Sequence, residues 1–163
     1  MKHALEGRLL SVGDALPATH KVVTRDMIEA YGAMVEGEGR NPIHYDSAAA
    51  RAAGYREVIA HGTMSLGLVS ESLAQTLGAH WLRSSTLSAK FIRPEFLGDD
   101  ITVRGSLARI EESDGRARLV FEIRCENQAG EPVIAASATA LVPLSAVRPG
   151  PADPPPDNPA PRS

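Results

Sequence analysis

Asn41-Pro42-Ile43-His44-Tyr45-Asp46, followed by Ala60-His61-Gly62-Thr63-Met64, is the stretch on which the reading of this chain turns. Its first half is punctuated like a tight turn. Pro42 biases Asn41 away from helical backbone, and a histidine just past such a turn aims its ring into a groove rather than along a helix. The second half opens a helix. Leu66, Leu68, Val69, Leu73 and Leu77 put apolar residues around much of its circumference, which predicts a largely buried helix starting near Gly62. A first-turn amide has no intrahelical acceptor, and the positive end of the helix dipole favours an anion there. Glycine lets a ligand come close to that amide.

Upstream of this stretch, residues 1–23 read as a loose lead-in with an edge strand. Thr24 has the chemistry of an N-cap. Met27, Ile28, Tyr31, Met34 and Val35 then recur at helical spacing, so a helix is expected over 25–35, ended by Gly37 and Gly39. A short helix over 47–53 follows, with Asp46 as its cap and Gly54 as its stop.

Downstream of Gly78 the period changes from helical to alternating. Leu87, Ala89 and Phe91 begin a first strand, ended by Pro94; Ile101, Val103, Leu107 and Ile110 mark a second. Ser113-Asp114-Gly115 is a hairpin turn signal. Leu119, Phe121, Ile123 and Cys125 then alternate with polar residues, and a fourth strand runs over 133–144. Helices followed by an antiparallel meander make an α+β domain. Its sheet has to cover something apolar, and the buried helix is the obvious candidate.

Residues 149–163 differ in kind. Seven of these fifteen residues are proline and none is a large hydrophobe, so the segment cannot bury enough surface to order itself. The chain therefore divides into one domain over 1–148 and a flexible Pro-rich tail over 149–163.

The bulk numbers narrow the classes. The chain has 163 residues, enough for one domain with a sizeable core, and 43% are hydrophobic against 23% charged. A net charge of −3 without any Lys/Arg block argues against nucleic-acid binding. No apolar stretch has the length of a membrane span or a signal peptide. The single cysteine, Cys125, excludes an internal disulfide and a cysteine-based metal cluster, and reads as core. A cytoplasmic protein acting on a small molecule fits all of this.

Taken with Lys90-Phe91 and Gly98-Asp99-Asp100, the two opening motifs resemble those of MaoC-like hydratases and R-specific enoyl-CoA hydratases, over residues 10–145. The resemblance implies a single hot-dog domain, an antiparallel sheet wrapped around the buried helix. It also implies an acyl-thioester hydratase or dehydratase, interconverting enoyl and 3-hydroxyacyl thioesters of CoA or an acyl carrier protein. On it, His44 transfers protons and the Gly62 amide binds the enolate-like oxygen. Asn41 fixes the turn, Ser70 supports the water site, and Tyr45 is a wall residue on the substrate side. His61 is a structural hydrogen-bonder. No metal or redox cofactor is implied, and a homodimer is expected because a lone hot-dog sheet leaves an edge open.

One position departs from the family. Its usual aspartate ahead of the catalytic histidine falls here on Gly39, and the loop before Asn41 is longer. Aligning Gly37-Glu38 with the family's Gly-Asp makes Glu38 the replacement carboxylate. Glu36 and Glu38 are otherwise solvated loop charges, and on that reading Glu36 is inert. Two further functions stay open: a non-catalytic acyl-binding or partner subunit, which Gly39 supports, and a hot-dog thioesterase, because one fold hosts several reactions.

Overall fold

Helix α1 (Arg25–Val35) begins where the sequence places its cap: the Thr24 hydroxyl accepts the Met27 amide at 3.2 Å. The computed structural model describes residues 9–37 and 39–148; Glu38 and the Pro-rich segment 149–163 lie outside the described residues. Helix α2 (Ser47–Ala52) is capped by the Asp46 carboxylate, which accepts the amides of Ala48 and Ala49. Between them Pro42–His44 form a single 3-10 turn, and Asn41 Oδ1 accepts the Ile43 amide at 3.3 Å. The expected buried helix is α3 (Gly62–Leu77). Only its Thr63, Gly67, Glu71, Gln75 stripe is exposed, the i, i+4 line facing away from the sheet.

Among the described residues, five strands form one antiparallel sheet, β1 (Thr19–Val22), β2 (Ser85–Phe91), β3 (Asp100–Ser113), β4 (Arg116–Glu126) and β5 (Pro132–Pro143). Between β3 and β4, Asp114 and Gly115 both adopt left-handed backbone, φ 51° and 70°, the two-residue hairpin geometry that Asp-Gly favours. A register shift between Leu107 and Arg109 explains why Leu107 and Ile110, spaced by three, both meet the core.

The sheet order is β1-β3-β4-β5-β2, which corrects the expectation of a plain meander. Alternation identifies strands but not their neighbours. After β2 the chain crosses to β3, and on the way residues 95–97 pair with residues 58–60: the Ala60 amide donates to Glu95 O at 2.7 Å and the Leu97 amide to Val58 O at 2.9 Å. A short helix α4 (Ala79–Arg83), which sequence periodicity does not reveal, turns the chain from α3 into β2 and buries Trp81.

The sheet's inner face closes over α3. Phe121, Leu119, Ile123, Ile101 and Leu107 meet Leu68, Val69, Leu73 and Leu77 in one core. At roughly 1.5–3 kcal/mol per fully buried large apolar side chain, this contact fixes α3 and therefore fixes where its first turn lies.

Candidate active site

His44 ends the 3-10 turn, and the structure settles its hydrogen bonding. Its Nδ1 lies 2.9 Å from the Ile59 carbonyl oxygen. A carbonyl only accepts, so Nδ1 carries the proton and Nε2 keeps a free lone pair. The ring stacks on His61, with centroids 3.8 Å apart and planes at 20°.

His61 is the residue before α3 and is 8% exposed. Its Nε2 is 3.2 Å from Glu36 Oε1. The Tyr45 hydroxyl donates to the other oxygen of Glu36, and the Asn41 amide donates to Oε1 at 3.3 Å. Three donors therefore converge on one carboxylate. The Tyr45 hydrogen bond above all holds Glu36 below the usual carboxylate range; burial opposes it, and the hydrogen bonds from Asn41 and His61 lower it further. Burial lowers the pKa of His61, and the nearby His44 lowers it further despite Glu36, so its ring is held neutral at physiological pH. With Nε2–H given to Glu36, its buried Nδ1 has no hydrogen-bond partner among the described residues.

Tyr45 reaches Glu36 only because α1 carries a glycine beneath it. A Cβ on Gly32 would lie 1.7 Å from the Tyr45 hydroxyl oxygen. Gly62 is required in the same sense: a Cβ there would meet the Phe91 ring at 2.8 Å. The two glycines set two close approaches, one behind the histidine pair and one in front of it.

In front of the pair opens a cavity of about 520 Å³, lined among others by His44, His61, Gly62, Phe91, Arg93 and Glu95. Glu95 is buried, and its carboxylate accepts the Ser65 hydroxyl one turn into α3.

Several expected site residues sit elsewhere. Ser70 does not line the cavity; its hydroxyl accepts the Trp81 indole N–H at 2.7 Å, which ties α3 to α4. Asn41 caps the turn rather than lining the cavity. Tyr45 is not a substrate-side wall but lies behind His61, with the Arg40 guanidinium 3.8 Å above its ring. Glu38 is outside the described residues. Glu36, expected to be a solvated and inert charge, is the carboxylate joined to the histidines. Nothing local in the sequence distinguishes it from Glu38, because its partners come from residues 41, 45 and 61. Glu95 was missed for a similar reason, although a carboxylate between Pro94 and Phe96 at the end of an apolar run is an available signal.

Glu36, His44 and His61 bring ligand atoms within 4.8 Å of one another. The stack puts the two rings' lone pairs in near-parallel planes 3.8 Å apart at their centroids, so one ion could not lie in both planes without a ring turning. The donor set suits hydrogen bonding better than coordination.

Fold and site together define a hot-dog domain with a histidine facing the N-terminus of its central helix. The family described as MaoC like domain matches residues 11–126, and the chain belongs to that family. Over 138 residues it is 30% identical to a mitochondrial 3-hydroxyacyl-acyl-carrier-protein dehydratase of Arabidopsis thaliana, covering 83% of this chain and 79% of that one. Among solved structures, an (R)-hydratase from A. caviae involved in PHA biosynthesis superposes with a TM-score of 0.69 at 25% identity, covering 82% of this chain and 98% of the other. An R-hydratase from Pseudomonas aeruginosa gives 0.66 at 26% identity, with 91% and 92% covered. Among the described residues, no helix is long and apolar enough to cross a membrane.

Proposed function

We propose that this protein is an enzyme that interconverts an enoyl thioester and a 3-hydroxyacyl thioester, its acyl group carried by CoA or by an acyl carrier protein. One observation carries the reading: the free Nε2 side of His44 and the first turn of α3 meet at a single cavity. In hydration, His44 Nε2 takes a proton from water as the oxygen bonds C3. The thioester oxygen gains negative charge at the same moment, and the Gly62 amide at the helix start is the donor for it. The Phe91 ring packs over Gly62 at the cavity rim. Glu36 holds His61 by its Nε2–H, and the stacked His61 ring keeps His44 facing the cavity.

The test is loss of enoyl-thioester absorbance with a short-chain enoyl-CoA. His44→Ala should lower kcat by roughly 10²–10⁴ while the fold persists; a variant with most of its activity would end this mechanism. Gly39 favours a second reading, a non-catalytic partner subunit. It becomes the better one if the wild type is inert and Gly39→Asp gains activity.

The same reading extends to a homodimer. β2 is an edge strand, and Phe91 at 50% and Ile92 at 42% exposure lie on it or beside it at the cavity rim. Pairing two copies along this edge would cover both the open backbone and those side chains. Light scattering showing a monomer at micromolar concentration would count against it.

A further inference from the structure

We propose that Glu95 is a second proton-transferring residue of this site, the general acid for C2, working across the cavity from His44. This deepens the hydratase reading and rests on it. Hydration needs two proton transfers. His44 accounts for the one from water; the α-carbon needs a donor, and the position of the family's usual aspartate is Gly39.

Glu36 does not fit the part. It is an ionised carboxylate that accepts from Tyr45, Asn41 and His61, and it lies behind His61 as seen from the cavity. A group held charged by three donors has no proton to give.

Glu95 differs in each respect. It lines the same cavity as His44 and Gly62. It is 3% exposed, and its Oε1 is a buried oxygen with no hydrogen-bond partner among the described residues. Its other oxygen accepts the Ser65 hydroxyl, its one donor among the described residues. Ser65 follows Gly62 by three residues, ~4.5 Å along the axis of α3, so its bond ties the Glu95 carboxyl to the turn that carries the oxyanion amide.

The backbone holds the two proton carriers against a single peptide group. The Ile59 carbonyl accepts His44 Nδ1, and the amide of that same peptide, Ala60 N–H, donates to the Glu95 carbonyl at 2.7 Å. In a trans peptide these bonds point in opposite directions, so His44 and Glu95 flank one segment at the cavity.

Charge around Glu95 favours the protonated acid. Burial pushes its pKa up to about 7, the Ser65 hydrogen bond pulls it down in part, and the Asp99 charge adds to the rise. Asp99 Oδ1 accepts from Arg56 Nη2 at 2.9 Å and from Gln128 Nε2 at 3.0 Å. Cys125 on β4 is the other ionisable group interacting with Glu95 in the core, and its thiol, pushed up to about 12, stays neutral. His44, His61 and Arg93 line the cavity, and the Arg93 guanidinium donates to the Pro132 carbonyl at 2.8 Å. A carboxylic acid titrating near neutrality is suited to giving a proton and taking it back.

The step balances. Water oxygen bonds C3 and loses its proton to His44 Nε2. The π electrons of the double bond move to C2, which takes the carboxyl proton of Glu95. The imidazolium then returns its extra proton to the Glu95 carboxylate through cavity water, and dehydration runs the same path backwards.

Glu95→Gln keeps the shape and removes the acid. With a short-chain enoyl-CoA we expect kcat to fall by roughly 10²–10³ with KM within a few-fold. The wild-type kcat should decline as pH rises past about 7, and that decline should vanish in the residual activity of the variant. A merely structural glutamate would not own the alkaline limb. An active wild type whose Glu95→Gln variant keeps its kcat, or keeps the same alkaline limb, overturns the role of Glu95 and leaves the hydratase reading standing. A wild type inert on both enoyl and 3-hydroxyacyl thioesters overturns the hydratase reading, and the role of Glu95 with it.

Discussion

Glu36 and Glu95 are the same residue type at opposite poles of one site, and their environments push them apart. Glu36 ends α1 beside the loop, where a tyrosine hydroxyl, a backbone amide and an imidazole give it donors. Glu95 follows a proline into the core, where one serine is its only hydrogen-bond donor among the described residues and one oxygen is left bare. Donors stabilise the anion and burial penalises it, so the first is a fixed charge and the second a proton reservoir. Chemistry that has to move a proton while keeping a histidine in place needs both states. A single carboxylate cannot hold both at once.

The sharpest break in this contrast would come from stability against pH. Glu95 has a folded pKa of about 7 against an ordinary value of 4.5, so folding takes up a proton between those values. The sign follows: the folded state binds more protons than the unfolded one, so stability falls as pH rises through the window, by up to about 3 kcal/mol for this group. Glu36 has the opposite sign, its contribution being present above its ordinary value and lost as pH falls through the lowered one. Chemical unfolding of wild type and Glu95→Gln from pH 4.5 to 8 should show the wild type losing ground by that order as pH rises. Parallel curves would mean that Glu95 ionises as an ordinary surface glutamate does.

Next in size is Glu36→Gln. The amide can still accept from Tyr45 but carries no charge to fix the His61 tautomer, and His61 backs His44. By analogy with other outer-shell partners of histidines, turnover should drop about 10–100-fold, without the loss of the alkaline limb expected for Glu95→Gln. Wild-type kinetics in this variant would restore Glu36 to the solvated loop charge that its sequence context suggests.

What was legible in the sequence was local. Thr24, Asn41 and Asp46 cap what they precede because a cap bonds two or three residues ahead. Asp114-Gly115 turns because Gly and Asp accept left-handed backbone, and the apolar residues of α3 repeat at 3.6. That His44 and Gly62 come together was readable from their motifs, and the two line one cavity. The partners of Glu36 and Glu95 were not, because each arises where segments distant in sequence meet: α1 against the loop at 45 and the residue before α3, and residues 95–97 against residues 58–60. β2 went to the far edge of the sheet for the same reason. Alternation tells a strand which face to bury and says nothing of which strand lies beside it.

The smallest expected effect on activity belongs to Ser70, and it tests how sharply the site is bounded. Ser65, Ser70 and Ser72 all belong to α3, yet only Ser65 touches a cavity-lining carboxylate. Ser72 donates to the Pro17 carbonyl at 2.7 Å, and Ser70 accepts the Trp81 indole N–H at 2.7 Å. Trp81 is 6% exposed, so removing its acceptor leaves a nearly buried donor unpaired. Ser70→Ala should therefore cost about 1–3 kcal/mol of unfolding free energy, read from a denaturant midpoint with an unchanged slope. Its kcat on an enoyl thioester should stay within about twofold, since α3 is held mainly by its apolar face. Ser65→Ala supplies the contrast, because it strips Glu95 of its one donor and should shift the alkaline limb upward, the loss of an anion-stabilising hydrogen bond raising the pKa further. If Ser70→Ala lowers turnover more than Ser65→Ala does, the water site extends along α3 towards α4, and the opposition of Glu36 and Glu95 describes only part of the site.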